Sequence, residues 1–196
     1  MELCVFQGTF NPIHIAHLRV ANFVMEKYSY DKLLFIPAYN PPHKNEDLAS
    51  PADRFNMAKL ATKDCSNCEV CDIEYKRQGI SYTYLTICEL KKIYLLKNKI
   101  NFIIGTDAFE KIETWYETDK LKNLVHFLVF NRGYNINKEK LEYLKKSGYD
   151  FSVETLEFED ISSSFIRQRL KNNESISDFV DKKVKEYIKK NGVYRY

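Results

Sequence analysis

The chain has 196 residues, of which 44% are hydrophobic and 29% charged, so it can form one domain with a substantial core and is too apolar for wholesale disorder. Its formal net charge of +3 is too small to indicate a nucleic-acid-binding protein, and its lysines are scattered. No apolar run reaches the length of a membrane span, and the first residues lead directly into a predicted strand. We therefore expect a cytoplasmic protein without a signal peptide, bound to neither nucleic acid nor membrane.

Apolar runs alternate with helical patterns along the chain. Buried strands are predicted at residues 3–6, 32–36, 69–74, 101–104 and 126–130, with a short edge strand at 151–153. Helices are predicted from about 12 to 28, 51 to 62, 83 to 96 and 137 to 147, from about 162 onward, and from about 177 to 190. This order predicts an α/β, Rossmann-like doubly wound parallel sheet in three layers. We expect a single domain over 1–196, with C-terminal helices from about residue 161 packed on the sheet.

Capping residues set the predicted helix ends. Asn11 is a good N-cap for the first helix, and Pro12 suits its first helical position. Thr83 is a plausible N-cap for the helix that follows a turn at residues 77–83. Gly192 is the expected C-terminal cap of the last helix.

The run GTFNPIHIAH at residues 8–17 links the first strand to the first helix. His14 and His17 are three residues apart, so they share one face of the helix start. A glycine that allows close approach, free helix N–H groups and two imidazoles suit a phosphate group. The alternative is that the histidines are solvated or capping side chains.

Five cysteines are present, at positions 4, 65, 68, 71 and 88, and the odd number in a chain without an export signal argues against a disulfide framework. Cys65, Cys68 and Cys71 are spaced like metal ligands. However, no fourth ligand is obvious nearby, and Cys71 falls inside a predicted strand whose alternate residues face opposite ways. We expect incidental free thiols here and no metal site, with metal binding as the alternative.

The run at 8–17 resembles the G-x-F-x-P-x-H-x-x-H signature of the nucleotidyltransferase superfamily. The resemblance implies that His14 and His17 bind the nucleotide phosphates and stabilise the charge of the transition state. Arg167 is predicted as a third catalytic residue, because it follows a serine-rich helix start, which binds anions, by about one turn. The resemblance implies an ATP site made of Gly8, Thr9, Phe10, His14, His17, Gly105, Asp107, Ser163, Ser164 and Arg167. Asp107 alternatively caps the next helix, and Ser162 or Ser163 alternatively serves as a plain helix cap.

Four further segments, at residues 41–44, 77–83, 115–116 and 161–167, together resemble the bacterial nicotinate-nucleotide adenylyltransferases along nearly the whole chain. The resemblance implies that the pyridine ring stacks on Trp115 and that N–H groups near Thr83 and Tyr116 bind its carboxylate. It places His43 and Lys44 near the mononucleotide phosphate. Arg132 completes the set of residues predicted to bind the mononucleotide. Trp115 is alternatively an anchor of the core.

The implied reaction joins ATP and nicotinate mononucleotide, with Mg²⁺ as the counter-ion of ATP. The alternatives are another phosphate acceptor, either nicotinamide mononucleotide or pantetheine phosphate, or a non-catalytic nucleotide-binding module. The chain departs from the family pattern at Gln7 and Ala16, where glycine is usual, and at Asn11, where aspartate is common. The sequence leaves open whether the protein forms a homo-oligomer.

Overall fold

A computed structural model describes residues 1–42, 47–131, 137–156 and 161–194. One six-stranded sheet lies at its centre, and each neighbouring pair of strands is parallel. The strands are β1 (Leu3–Gly8), β2 (Lys32–Pro37), β3 (Cys68–Val70), β4 (Ile100–Gly105), β5 (Val125–Asn131) and β6 (Phe151–Thr155). Their spatial order is β3-β2-β1-β4-β5-β6, which confirms the predicted Rossmann-like α/β fold.

Helices connect the strands and cover both faces of the sheet. They are α1 (Ile15–Lys27), α2 (Pro51–Ala61), α3 (Ile73–Arg77), α4 (Thr83–Ile93), α5 (Thr106–Phe109), α6 (Thr118–Leu121), α7 (Lys138–Lys146), α8 (Ser163–Lys171) and α9 (Lys182–Asn191). A single 3-10 turn, Ile112–Thr114, lies between α5 and α6. Within the described ranges, no helix is both long and apolar enough to cross a membrane.

The core consists of two apolar clusters, one on each face of the sheet. Cys4 of β1 belongs to the cluster that is covered by α1, α2, α8 and α9, which we call the α1 face. Its neighbours Leu3 and Val5 belong to the cluster covered by α3 to α7, which we call the α4 face. This alternation is the consequence of the two-residue repeat of a strand. The chain crosses between the faces where β1 meets β4, and such a switch point opens a crevice at the carboxyl ends of the strands.

The predicted start of the first helix is wrong. Asn11 and Pro12 precede the helix and are joined by a cis peptide bond; α1 begins at Ile15, and His14 is its N-cap. The side chain of Asn11 makes long-range bonds instead, since its Nδ2 donates to the carbonyl of Asp47 at 2.8 Å. A local capping pattern cannot reveal that a distant segment uses the same polar atoms.

Other helix and strand ends also differ from the predicted ones. The strand predicted at 69–74 is instead the shorter β3 at 68–70, and Ile73 begins α3, where its side chain and that of Glu74 are buried. Tyr82 rather than Thr83 is the N-cap of α4. The last helix begins at Lys182 rather than near 177. The predicted C-terminal cap at Gly192 is confirmed, and its backbone is left-handed.

Candidate active site

A cleft of about 830 Å³ opens where β1 and β4 end and where α1, α5 and α8 begin. It therefore lies at the switch point, where parallel sheets of this order hold their ligands. All of the residues that were predicted to bind ATP line it, namely Gly8, Thr9, Phe10, His14, His17, Gly105, Asp107, Ser163, Ser164 and Arg167. Three separate parts of the chain, at residues 8–17, 105–107 and 163–167, thus converge on one cleft. The role of each side chain toward a ligand stays a prediction.

The two histidines of the signature contact each other at the start of α1. The main-chain N–H of His14 donates to Nδ1 of His17, with 3.2 Å between the nitrogens, and the ring centroids are 3.7 Å apart. The rings of Phe6 and Phe10 flank His17, with centroid distances of 5.7 and 5.1 Å. Because Nδ1 of His17 accepts a hydrogen bond, the neutral ring carries its proton on Nε2. The N–H donor of the neutral ring is then at Nε2.

The start of α8 is hydrogen-bonded to residues 9–14 between β1 and α1, which we call the signature loop. Ser163 Oγ donates to the carbonyl of Pro12, and Arg167 Nη1 donates to the carbonyl of Asn11, both at 2.9 Å. Ser162 is the N-cap, and its Oγ accepts from the N–H of Phe165 at 3.1 Å. The capping alternative is therefore confirmed for Ser162, and all three serines, 162 to 164, line the cleft. The Nε atom of Arg167 is buried and has no hydrogen-bond partner among the described residues.

Asn11 joins the cleft to two other parts of the chain. Its buried Oδ1 accepts from the N–H of Ala49 at 3.0 Å and from the hydroxyl of Tyr194 at 2.7 Å. Lys171 of α8 pairs with Asp47 in the same region, at 3.1 Å. The sequence interpretation missed this role of Asn11, because each partner lies far away along the chain and no local pattern marks it.

Asp107 lines the cleft with an exposed carboxylate. It does not cap the helix that it lies in, because the N-cap of α5 is Gly105 and Asp107 is inside the first turn. The capping alternative is therefore wrong. A role as acceptor for ribose hydroxyl groups stays a prediction.

The residues predicted to bind the pyridine ring lie on the α4 face and outside the set of described residues that lines the cleft. The rings of Tyr82 and Tyr116 are stacked with centroids 4.4 Å apart, so the loop after the 3-10 turn lies against the start of α4, where Thr83 is. Trp115 is half-buried and meets Phe102 edge-to-face at 6.2 Å. This geometry brings the three predicted residues together beside the core, and the stacking role of Trp115 stays a prediction. His43, Lys44 and Arg132 lie outside the described residues.

The expectation of free thiols is wrong for two cysteines. Cys65 and Cys68 form a disulfide, because the turn between α2 and β3 brings their Cα atoms to 5.4 Å. Cys71 stays free and half-buried, and burial raises the pKa of its thiol. Within the described ranges, no group of three or more His, Cys, Asp or Glu side chains is arranged to hold a metal ion.

Residues 5–169 match the sequence profile of the cytidylyltransferase-like family, so the chain belongs to this class of nucleotidyltransferases. It is 41% identical over 196 residues to a protein of Clostridium acetobutylicum, and 97% of each chain is covered. It is 40% identical over 198 residues to a protein of Staphylococcus epidermidis, covering 98% of this chain and 97% of the other. Both relatives bear the name "Probable nicotinate-nucleotide adenylyltransferase". This chain belongs to the nicotinate-nucleotide adenylyltransferase family.

A solved structure supports the fold. The nicotinic acid mononucleotide adenylyltransferase of Plasmodium falciparum, complexed with NaAD, superposes with a TM-score of 0.83. The alignment covers 98% of this chain and 97% of the other, at 22% identity. At 22% identity, the similarity shows that the two proteins share a fold, that is, the same arrangement of sheet and helices.

Proposed function

We propose that this protein transfers the adenylyl group of ATP to nicotinate mononucleotide, forming deamido-NAD and pyrophosphate in NAD biosynthesis. One observation supports the proposal above all: the signature histidines and the Ser163–Arg167 helix start meet in a single cleft. The family to which the chain belongs and the names of its full-length relatives give the same activity.

The reaction is an in-line displacement at the α-phosphorus of ATP. An oxygen of the mononucleotide phosphate forms the new P–O bond, and the bond between the α-phosphorus and the bridging oxygen breaks, so that pyrophosphate leaves with the electron pair. A phosphate monoester is already an anion near neutral pH, since its second pKa is about 6. The protein therefore needs no strong base. It has to hold two mutually repelling anions in line and stabilise charge on the leaving group.

The described residues supply positive potential and hydrogen-bond donors where that charge develops. α1 and α8 both point their N-termini into the cleft, and a helix N-terminus attracts anions. His17 offers Nε2–H to a phosphate oxygen, and Arg167 offers a fixed positive charge about one turn into α8. We assign the charge stabilisation to His14, His17 and Arg167.

Mg²⁺ fits this site as an ion that arrives with the polyphosphate. Such an ion keeps several waters and needs only one or two protein carboxylates, and Asp107 is the exposed carboxylate on the lining of the cleft. When bound, it neutralises charge on the phosphate oxygens.

The cytoplasmic location expected from the sequence also stays a prediction.

The test is an acceptor comparison with the purified protein. Pyrophosphate release and product mass are measured with ATP and, in turn, nicotinate mononucleotide, nicotinamide mononucleotide and pantetheine phosphate. We expect the highest kcat/KM with nicotinate mononucleotide, because backbone N–H groups at the start of α4 suit a carboxylate better than an amide. A higher kcat/KM with either other acceptor would replace the proposed substrate. Nucleotide binding without pyrophosphate release would show a non-catalytic module.

A further inference from the structure

Arg54 of α2 is fully buried beneath the signature loop. Among the described residues, its guanidinium donates only to main-chain carbonyls: Nε to Ala49 at 3.1 Å, Nη1 to Thr9 at 3.0 Å and to Ala38, and Nη2 to Tyr39 at 2.9 Å. No ion pair of Arg54 with a carboxylate occurs within the described ranges. Burial lowers the pKa of Arg54. A buried cation that binds backbone at four points orders that backbone, because each carbonyl is held in a fixed direction.

Glu74 of α3 is buried as well, with 1% of its surface exposed. Its Oε1 accepts from Nε2 of Gln7 at 2.6 Å and from Oγ1 of Thr86 at 2.7 Å. Its Oε2 accepts from the N–H of Tyr39 at 3.1 Å, and Arg77 Nη2 lies 3.6 Å from Oε1. Both carboxylate oxygens are therefore used, and they bind the end of β1, the segment after β2 and α4.

One peptide group lies between the two buried charges. The carbonyl of Ala38 accepts from Arg54, and the N–H of the same peptide, on Tyr39, donates to Glu74. The peptide dipole thus has its negative end toward the cation and its positive end toward the anion, which is the favourable orientation. We call Arg54, Glu74 and this peptide the charge clamp.

The charge clamp connects the ATP side of the cleft with the start of α4. Arg54 binds Thr9 of the signature loop, while the next residue after the clamp, Asn40, exchanges two hydrogen bonds with Ser81. The N–H of Asn40 donates to Ser81 Oγ, and the N–H of Ser81 donates to the carbonyl of Asn40, both at 2.9 Å. Ser81 lies two residues before Thr83, the first residue of α4. Hydrogen bonds therefore connect the signature loop to residues 38–40, and residues 38–40 to the N-terminus of α4.

We propose that Arg54 and Glu74 are positioning residues that fix the position of the signature loop relative to the N-terminus of α4. They thereby fix the position of ATP relative to its acceptor. The proposal rests on the proposed function, because only a two-substrate transfer needs that distance. Neither side chain lines the cleft, so each acts through the backbone that it holds. In-line transfer is sensitive to such placement: a shift of about 1 Å can cost roughly 10²-fold in rate.

The experiment uses Arg54→Lys and Glu74→Gln in the full chain. Lysine keeps the charge but cannot hold four carbonyls, and glutamine keeps the shape but removes the charge. We measure kcat and both KM values, the Kd of ATP alone by calorimetry, and Tm. We expect kcat to fall about tenfold or more while the Kd of ATP changes less than about twofold, since His14, His17 and Arg167 are untouched.

A matched control separates positioning from stability. Glu154→Gln also removes a buried carboxylate, one that is bound by Lys27 and Tyr28 at the far end of α1. It should lower Tm and leave kcat unchanged. Folded Arg54→Lys or Glu74→Gln with wild-type kcat would overturn the proposal, as would an equal loss of kcat in Glu154→Gln. If Arg54→Lys does not fold, the kcat of the isosteric variant Glu74→Gln decides whether the proposal holds. A wild-type protein that releases no pyrophosphate overturns the proposed function instead.

Discussion

The main-chain N–H of His14 donates to Nδ1 of His17, so the two signature histidines are linked by a hydrogen bond within the protein itself. This bond fixes which nitrogen of His17 is the donor, and the flanking rings of Phe6 and Phe10 hold the imidazole in place. A donor held in one orientation stabilises a developing charge without having to reorganise during the reaction. We therefore predict that His17 supplies a preorganised donor, whose orientation is set by the main chain at His14.

His17→Ala should lower kcat by about 10²–10³-fold while the protein stays folded, because one preorganised donor to a developing charge is typically worth that much. Steady-state pyrophosphate release measures kcat, and circular dichroism checks the fold. Arg19→Ala is the matched control, since Arg19 is exposed on the same helix and outside the lining of the cleft. Near-normal turnover of His17→Ala would remove the histidine pair from the mechanism.

Trp115→Ala should raise the KM for nicotinate mononucleotide about tenfold and leave the KM for ATP unchanged. Stacking on an aromatic ring contributes roughly 0.5–1.5 kcal/mol beyond the burial of area. Tyr94→Ala is the control, because Tyr94 is a partly buried aromatic residue that packs on the same α4-face core. Its loss should reduce Tm without changing either KM. Equal increases of both KM values in Trp115→Ala, or its unfolding, would show that Trp115 is a core anchor.

The sheet could be predicted because buried parallel strands are continuous apolar runs, and β1, β2, β4 and β5 have such runs. The ATP side could also be predicted, because the signature, Gly105 and the Ser163 helix start all lie at strand ends or helix starts. α3 could not, since Ile73 and Glu74 follow a strand-like alternation and only tertiary burial selects the helix. The same limit hid Arg54 and Glu74, because they bind residues far away in sequence, as Arg54 binds Thr9 and Glu74 binds Tyr39.

Replacing Cys65, Cys68 and Cys71 together by serine should leave kcat and both KM values unchanged. Cys68 begins β3, which places the disulfide at the amino ends of the strands, whereas the cleft is at their carboxyl ends. Cys71 faces the α4-face core. Elemental analysis of protein purified without added metal completes the test. Stoichiometric zinc or iron, lost in the triple variant, would show that the cysteines form a metal site.

Glu154→Gln should destabilise the protein at neutral pH and progressively less in acid. Burial by itself raises the pKa of Glu154, but hydrogen bonds from Lys27 and Tyr28 outweigh it, so the pKa lies below its ordinary value. A carboxyl whose folded pKa is depressed contributes stability above its unfolded pKa of about 4.3, and this is lost as pH falls through the folded pKa. Urea unfolding of both proteins between pH 7 and 3 measures the difference. A difference independent of pH would contradict the assignment.

Arg167→Ala should weaken ATP binding and slow turnover, while the affinity for nicotinate mononucleotide stays nearly unchanged. A cation near a helix N-terminus is unfavourable by a few tenths of a kcal/mol, so its place there suits a bound polyanion rather than helix stability. Nη1 of Arg167 donates to the carbonyl of Asn11, and Arg167 lines the cleft together with Ser163 and Ser164. We therefore expect a contact with the β- or γ-phosphate.

Two further variants complete the test of Arg167. Arg167→Lys should recover only part of the loss, because an ammonium group is a point charge and cannot bind a carbonyl and a phosphate with a planar fork. Arg169→Ala, two residues along α8, removes a cation that pairs with Glu174 and stacks on Phe165, and it should leave ATP affinity unchanged. ATP is titrated calorimetrically into each protein. If Arg167→Ala and Arg169→Ala bind ATP as the wild type does and turn over at its rate, Arg167 serves only to fasten α8 to the signature loop.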